Sequence, residues 1–296
     1  MRAFGGERLS EISTQEVRRF LSNLDHEEMS AGTVNKHRQL LHALFEFAKS
    51  SDTFDLKENP VSPTARRPES GTAPLDVFEP TEVELIAEAA REGLHRKRSD
   101  HDYSADTRAE QRRMDEQDGD LFVIAAFTGL RLGELLALQW HDLDLGAGLL
   151  TVTRAVSAGV EVDSTKSRQF RTVPLAEQAV AAFKRLSSRK HFTGRADYVF
   201  CRVDGGPLDR TTVRKRFVAA QDAAGVRRRR FHDLRHSFGS LAVRHFDAIQ
   251  VQALLGHSSL QTTERYLHTR PRADDSAKLT KAFTSSETGE GERADS

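Results

Sequence analysis

Three short β-branched runs, at 149–154, 160–163 and 170–174, stand among long stretches whose apolar residues recur at helical spacing. Turn residues separate them, so they predict short strands. Almost everything else large enough to build a core predicts helix. The expected class is therefore mainly α with a small antiparallel β-sheet (α+β). Ser13 and Glu16 form a capping box ahead of a helix carrying Val17, Phe20, Leu21 and Leu24. A second helix runs from Ala31 to Lys49, with Val34, Leu41, Leu44, Phe45 and Ala48 as its apolar stripe. Thr81 and Glu84 are expected to begin the next, turning Leu85, Ile86, Ala89 and Ala90 inward. LFVIAAFTG (121–129) predicts a buried helix closed by Gly129, and further helices are expected near 176–188, 211–223, 233–245 and 247–255.

The Pro-rich polar stretch 58–74 predicts a linker. It divides the chain into a helical domain over 1–57, a linker over 58–75, a larger domain over 76–284 and a disordered polar tail over 285–296. Residues 91–120 carry seven Lys/Arg and nine Asp/Glu. The charged part, 93–119, is expected to be a helical extension or a mobile insertion. No internal repeat is visible.

Composition narrows the function classes. No apolar run approaches the ~20 residues of a membrane span, and no signal peptide is visible at the start. The single cysteine, Cys201, excludes an intramolecular disulfide and fits a reducing cytoplasm. No zinc-ligand spacing and no phosphate-binding glycine loop occur. A formal net charge of zero argues at first against a nucleic-acid partner. Its distribution argues the other way: residues 210–272 hold thirteen basic side chains against four acidic ones. A phosphate backbone feels charge within about 10 Å. Arg214, Lys215 and the run Arg227, Arg228, Arg229, Arg230 are the expected DNA-facing residues.

Six polar residues follow in fixed order, each in a distinct context: Arg131 in TGLRLGELLAL, Lys166 in STKSRQFRTVPL, His232 and Arg235 in HDLRHSF, His257 in LLGHSS and Tyr266 in TTERYLH. Negative charge grows on phosphate oxygens as a phosphodiester reacts, so catalysis is mostly charge stabilisation and positioning. Arginine's planar fork binds two phosphate oxygens and never loses its proton. Two arginines from distant segments can grip both non-bridging oxygens, in place of a metal. Tyr266 is a poor nucleophile unless cations or a base activate it, because a free phenol has a pKa near ~10. His232 and Arg235, three residues apart, share one helix face, with Leu234 and Phe238 turned to the core. Glu134, one turn from Arg131, is expected to orient it. Taken singly, each residue has a bland alternative: surface arginine, solvated lysine, helix-capping histidine, core tyrosine. Those alternatives do not account for the order or the contexts.

Over roughly residues 9–285, these motifs resemble the tyrosine recombinases of the phage-integrase type. The resemblance implies a helical DNA-gripping core-binding domain followed by a mostly helical catalytic domain. Arg131 and Arg235 would hold the scissile phosphate. Lys166, on a β-hairpin, would protonate the leaving 5′-oxygen, with His232 and His257 supporting proton transfer and phosphate binding. Tyr266 would form a 3′-phosphotyrosyl link, with no cofactor and no metal. The implied partners are double-stranded attachment-site DNA, a homotetramer on that DNA, and an excisionase or host DNA-bending protein. AKLTKAF (277–283) is a candidate helix for contact between protomers.

One departure stands out. Only two clear helices precede the linker, where the family usually has about four, so a truncated core-binding domain and weakened DNA binding are expected. The leading function is a site-specific integrase of a phage or mobile element. The alternatives are a chromosome-dimer resolvase or relaxing topoisomerase of the same chemistry, and a catalytically idle DNA-binding remnant.

Overall fold

A computed structural model describes residues 4–51, 54, 56–69, 75–96, 103–157, 160–163 and 170–267. The chain divides into two compact units, 1–73 and 74–296. Lys166, the 277–283 segment and the 285–296 tail lie outside the described residues.

The first unit is built on α1 (Thr14–His26) and α2 (Ala31–Lys49). The Ser13–Glu16 capping box forms in both directions. Val17, Leu21, Leu24, Val34 and Phe45 make its core. Leu44 is 46% exposed rather than inward. The buried row runs through Val34, Leu41, Phe45 and Ala48, and Leu44 lies about 100° round the helix from Phe45. Residues 58–69, expected as linker, pack onto this unit. Val61 is fully buried, Asn59 Nδ2 donates to the His42 carbonyl at 3.0 Å, and Asn35 Nδ2 donates to the Arg67 carbonyl at 2.9 Å. The first bond ties a side chain of the segment to α2, and the second satisfies a backbone carbonyl that a loose linker would leave to water.

In the second unit α3 (Pro80–Arg91) begins one residue earlier than expected. Its cap is Glu79, whose backbone N–H donates to Glu82 at 2.9 Å, and Pro80 takes the first-turn position where no N–H is needed. Its inner face is Val83, Ile86, Ala87 and Ala90, and Leu85 is 51% exposed.

The charged stretch takes its helical alternative from Ala105 onward. LFVIAAFT is only the last third of a 24-residue helix, α4 (Ala105–Thr128), which Gly129 ends in the left-handed conformation. Three acids of α4, Asp115, Asp118 and Asp120, are buried against partners. Asp120 accepts from Arg91 at 3.0 Å and Arg185 at 2.6 Å. Asp118 meets Arg216 at 3.2 Å and His95 at 3.1 Å, and Asp115 pairs with Arg96. His95, Asp115 and Asp118 offer ligand atoms within 4.8 Å of one another, but both carboxylates already carry an arginine. Gly119 lets α3 and α4 approach closely, since a Cβ there would lie 2.5 Å from the Ala87 carbonyl.

Among the described residues the strands are five rather than three. β1 (Leu143–Asp144), β2 (Leu149–Val152) and β5 (Arg171–Pro174) make one antiparallel sheet in the order β1-β2-β5, while β3 (Arg154–Ser157) and β4 (Val160–Asp163) form a separate hairpin. The run 149–154 splits at Thr153, whose hydroxyl donates to Asp142 at 3.1 Å. Leu150 pairs with Val173, and Val152 with Arg171, so β2 delivers Arg171 to one end of the sheet. α6 (Glu177–Ser187) and α7 (Arg210–Ala223) follow, then α8 (Phe231–Ala242), α9 (Ala248–Leu255) and α10 (Leu260–Glu264). Phe217 packs edge-on against Phe78, Phe122 and Phe231 at 5.8, 5.0 and 5.2 Å. Each such buried ring contributes roughly 2 kcal/mol, and together they fix the start of α8.

Candidate active site

α9 ends at Gly256, which takes a left-handed conformation (φ 63°) that favours glycine. The last carbonyls of a helix lack intrahelical partners and carry its negative dipole end. Here three consecutive carbonyls each accept from a different arginine. Arg171 Nε donates to Leu254 at 3.0 Å, Arg235 Nη2 to Leu255 at 2.5 Å, and Arg131 Nη2 to Gly256 at 2.8 Å. Three guanidinium groups from α8, β5 and the start of α5 (Leu132–Ala137) thus gather at one point.

Arg131 and Arg235, expected together, are brought together. Arg131 caps α5, donating to Glu134 from its backbone at 2.8 Å and from Nη1 at 2.9 Å, so the carboxylate holds the guanidinium in place. Its side chain remains 44% exposed, which leaves donors for a ligand. Arg235 is almost completely buried and also donates to the Gly129 carbonyl at 2.7 Å. Burial, with Arg131 beside it, pushes its guanidinium down to about 9, so it stays charged at neutral pH.

Arg171 was not singled out from the sequence. It forks onto Glu134 with bonds of 2.9 and 2.6 Å. Burial alone would raise the Glu134 carboxyl, but the Arg171 hydrogen bonds and charge, with Arg131, hold it down at about 2. The buried acid is therefore ionised and shared between two arginines. A charge placed where a strand begins, in RTVPL, was the available signal.

His257 follows Gly256 directly. Its ring lies parallel to Tyr266 (6°, centroids 6.2 Å apart), and its Nδ1 lies 2.9 Å from the Thr263 hydroxyl. Tyr266 comes two residues after α10 and is only 3% exposed. A Cβ on Gly239 would stand 2.7 Å from the tyrosine ring, so α8 makes room for it there. The side chain that reaches the Tyr266 hydroxyl is His236, at 2.8 Å from Nδ1. His232, on the same face of α8 as Arg235, meets His236 ring to ring at 4.9 Å. His236 was also missed in the sequence; its i,i+4 spacing from His232 was the clue.

Burial, then Arg235, lowers the pKa of His232. Burial and Arg235 bring His257 to about 4, and burial with His232 brings His236 to about 4. All three stand neutral at pH 7. Burial raises the Tyr266 phenol, and Arg235, Arg265 and Arg131 oppose it.

The expected DNA-facing residues divide. Arg214, Lys215, Arg227, Arg228 and Arg230 are exposed. Arg227 pairs with Asp76, Arg228 with Asp222 and Arg230 with Asp233. Arg229 differs. Its side chain is 9% exposed, bonded to Asp76 at 2.8 Å and Glu82 at 3.1 Å, and it lies over Phe78 at 4.6 Å. Its charge is taken up inside the unit.

A family model described as the phage integrase family matches residues 82–272, well over half of the chain. The chain belongs to that family. Its members, the tyrosine recombinases, are enzymes that cleave and rejoin DNA. A "Tyrosine recombinase XerC-like" protein of Caldanaerobacter subterraneus subsp. tengcongensis is 25% identical over 92% of this chain and 71% of its own length. "Tyrosine recombinase XerC" of Xanthomonas campestris pv. campestris is 35% identical over 51% of this chain, but the match spans only 44% of that relative. Among solved structures, a Tn1549 transposon integrase in complex with a circular-intermediate DNA superposes with a TM-score of 0.69 at 18% identity, covering 94% of this chain and 88% of the other. A lambda integrase dimer bound to a core site gives 0.60 at 21% identity, over 92% and 85%. These two establish the likeness of fold: mainly helical with a small antiparallel sheet.

Proposed function

We propose that this tyrosine recombinase is a site-specific integrase of a phage or other mobile element, working on double-stranded DNA. The observation that carries the reading is the gathering of Arg131 and Arg235 on adjacent carbonyls at the end of α9, with His257 next in the chain and stacked on Tyr266. A phosphodiester bound at the exposed edge of Arg131 would exchange helix carbonyls for phosphate oxygens as the arginines' acceptors. The arginines then stabilise the charge that grows on those oxygens. Tyr266 Oη attacks phosphorus, an O–P bond forms, and the bond to the 5′-oxygen breaks. That oxygen takes a proton, which we assign to Lys166. The phosphotyrosyl link keeps the bond energy, so a second 5′-hydroxyl reseals the strand by the reverse path without ATP.

Arg214, Lys215, Arg227, Arg228 and Arg230 would track the flanking phosphates. The assembly we propose is a homotetramer on two duplexes, with an excisionase or host DNA-bending protein setting direction. The names of the curated relatives favour a second reading within the same chemistry, a Xer-type resolvase.

The test is covalent trapping on nicked suicide duplexes tiled across the DNA flanking the gene, in EDTA. A denaturation-resistant adduct, absent in Tyr266→Phe, is expected. Its position separates the two readings: a site at an element's end favours the integrase, and a site apart from any element favours the resolvase. Binding without an adduct would leave only a DNA-binding remnant.

A further inference from the structure

Strand transfer requires somewhere for the phenol proton to go. The three histidines of the site differ in how they meet Tyr266. His257 lies face to face with its ring and turns Nδ1 to Thr263 at 2.9 Å. His232 meets His236 at 4.9 Å between centroids. His236 alone of the three has a hydrogen bond to the tyrosine oxygen, Nδ1 to Oη at 2.8 Å. That is within the reach a general base needs.

We propose that His236, rather than His232 or His257, accepts the Tyr266 proton as the phenol oxygen attacks phosphorus and returns it when the strand is resealed. The inference rests on the strand-transfer reading above. In the forward step the Oη–H bond breaks as the O–P bond forms, the proton passes to Nδ1, and His236 becomes imidazolium. The electron pair of the broken P–O5′ bond leaves on the 5′-oxygen. In resealing, the phenolate oxygen leaves phosphorus and takes the proton back. No other reactant is needed.

Two structural features support this, the burial of the pair and the seat that Gly239 gives the ring. His236 is buried and its partner is 3% exposed, so water does not compete for the proton. Accepting at Nδ1 requires the tautomer with its proton on Nε2. Gly239, one turn along α8, seats the tyrosine ring so that its hydroxyl falls on His236. The groups facing His236 are His232, Asp233 and Arg230 on its own helix or cap, and Arg265 and Tyr266 beyond α10. His257 acts across the same space. Burial, His232 and Arg265 keep the imidazole neutral at pH 7. A bound phosphate offsets the nearby arginines and makes protonation easier when the proton must move.

The experiment is single-turnover adduct formation on the trapping duplex, with DNA binding and thermal melting measured beside it. His236→Asn places an amide near Nδ1, so it keeps a hydrogen-bonding group but loses the basic nitrogen. Its adduct rate should fall about 100-fold or more with binding unchanged. In His236→Ala, added imidazoles should restore the rate in the order of their pKa values. A wild-type rate in His236→Asn would reduce His236 to a positioning residue and overturn the proposal. A faster rate would mean that the bond holds the tyrosine idle, and would overturn it too. Rescue indifferent to imidazole pKa counts against it equally. If His236→Ala does not fold, His236→Gln takes its place beside the asparagine variant, with loss of rate expected and retention contrary. No adduct with wild-type protein would overturn the strand-transfer reading and this step together. An adduct formed at full rate by His236→Asn would overturn this step alone.

Discussion

Arg171 grips Glu134 through two parallel hydrogen bonds of 2.9 and 2.6 Å, at a site where the acid is only 7% exposed. The same carboxylate orients Arg131, and the same arginine holds a carbonyl at the end of α9. Removing one partner of a buried pair strands the other's charge. Arg171→Met is expected to cost about 3 kcal/mol in urea unfolding. It should also slow adduct formation at least tenfold, because Glu134 would then draw wholly on Arg131. Arg171→Lys keeps the charge but not the fork, so it should fall between wild type and Arg171→Met. A midpoint unmoved in Arg171→Met would show that the pair carries no weight.

Acid should unfold the second unit in two overlapping stages. His236 and His257 have folded pKa values of about 4 against an ordinary 6.5. The unfolded chain therefore binds more protons, and their contribution declines as pH drops from about 6.5 to 4. Glu134 is held at about 2 against 4.5. Its contribution is complete above 4.5 and disappears as pH falls through about 2. Melting temperature measured from pH 8 to pH 3 should be flat at the top and then decline. His257→Asn should flatten the first stage, and an unchanged slope in that variant would rule out the histidine origin.

Gly239→Ala should be harmful, although alanine normally stabilises a helix interior by ~0.5–1 kcal/mol. The new Cβ would lie 2.7–2.9 Å from the Tyr266 ring. We expect a net loss of about 1–3 kcal/mol and a fall in adduct rate approaching 100-fold, as a nucleophile misplaced by about an ångström would show. Wild-type kinetics in this variant would mean that the ring has another place to sit.

Asp118→Asn tests the buried charges of α4. Asp118 is 1% exposed and takes both Arg216 and His95. Its neutralisation strands Arg216, at a cost of about 3 kcal/mol. Adduct formation at low temperature should be unchanged, since the cluster does not touch Tyr266 or its arginines. Equal stability of the variant would show that the cluster is solvated in solution.

The elements written into local sequence were the most legible. Ser13 and Glu16 marked the start of α1, Gly129 the end of α4, and the β-branched runs the sheet. The misreadings have one physical source, the partner that a residue meets. Nothing local tells that Asp118 and Asp120 are buried, because their arginines lie on α7, α3 and α6. Thr81 and Glu84 read as the start of α3, but Glu79 caps it and Pro80 begins it, and of the expected inner row only Leu85 is turned outward. The 58–69 segment reads as linker by composition, yet Asn35 and Arg38 satisfy parts of its backbone, and the Asn59 side chain donates to the His42 carbonyl.

The chemistry was present in the chain before folding. Arginine forks, histidines and a phenol, each in its own local context, are residue types suited to holding and attacking a phosphate. The choice of which histidine meets the phenol, and which arginine neutralises Glu134, belonged to folding. His236 and His232 are equal as residue types and lie one turn apart. Only the seating of Tyr266 over Gly239 puts Nδ1 of His236 against its hydroxyl. Arg171, an ordinary strand residue by pattern, became part of the site because antiparallel pairing with Val152 carried it to the end of α9. Hydrogen bonds act over about 3 Å, a distance that separation along a chain does not encode.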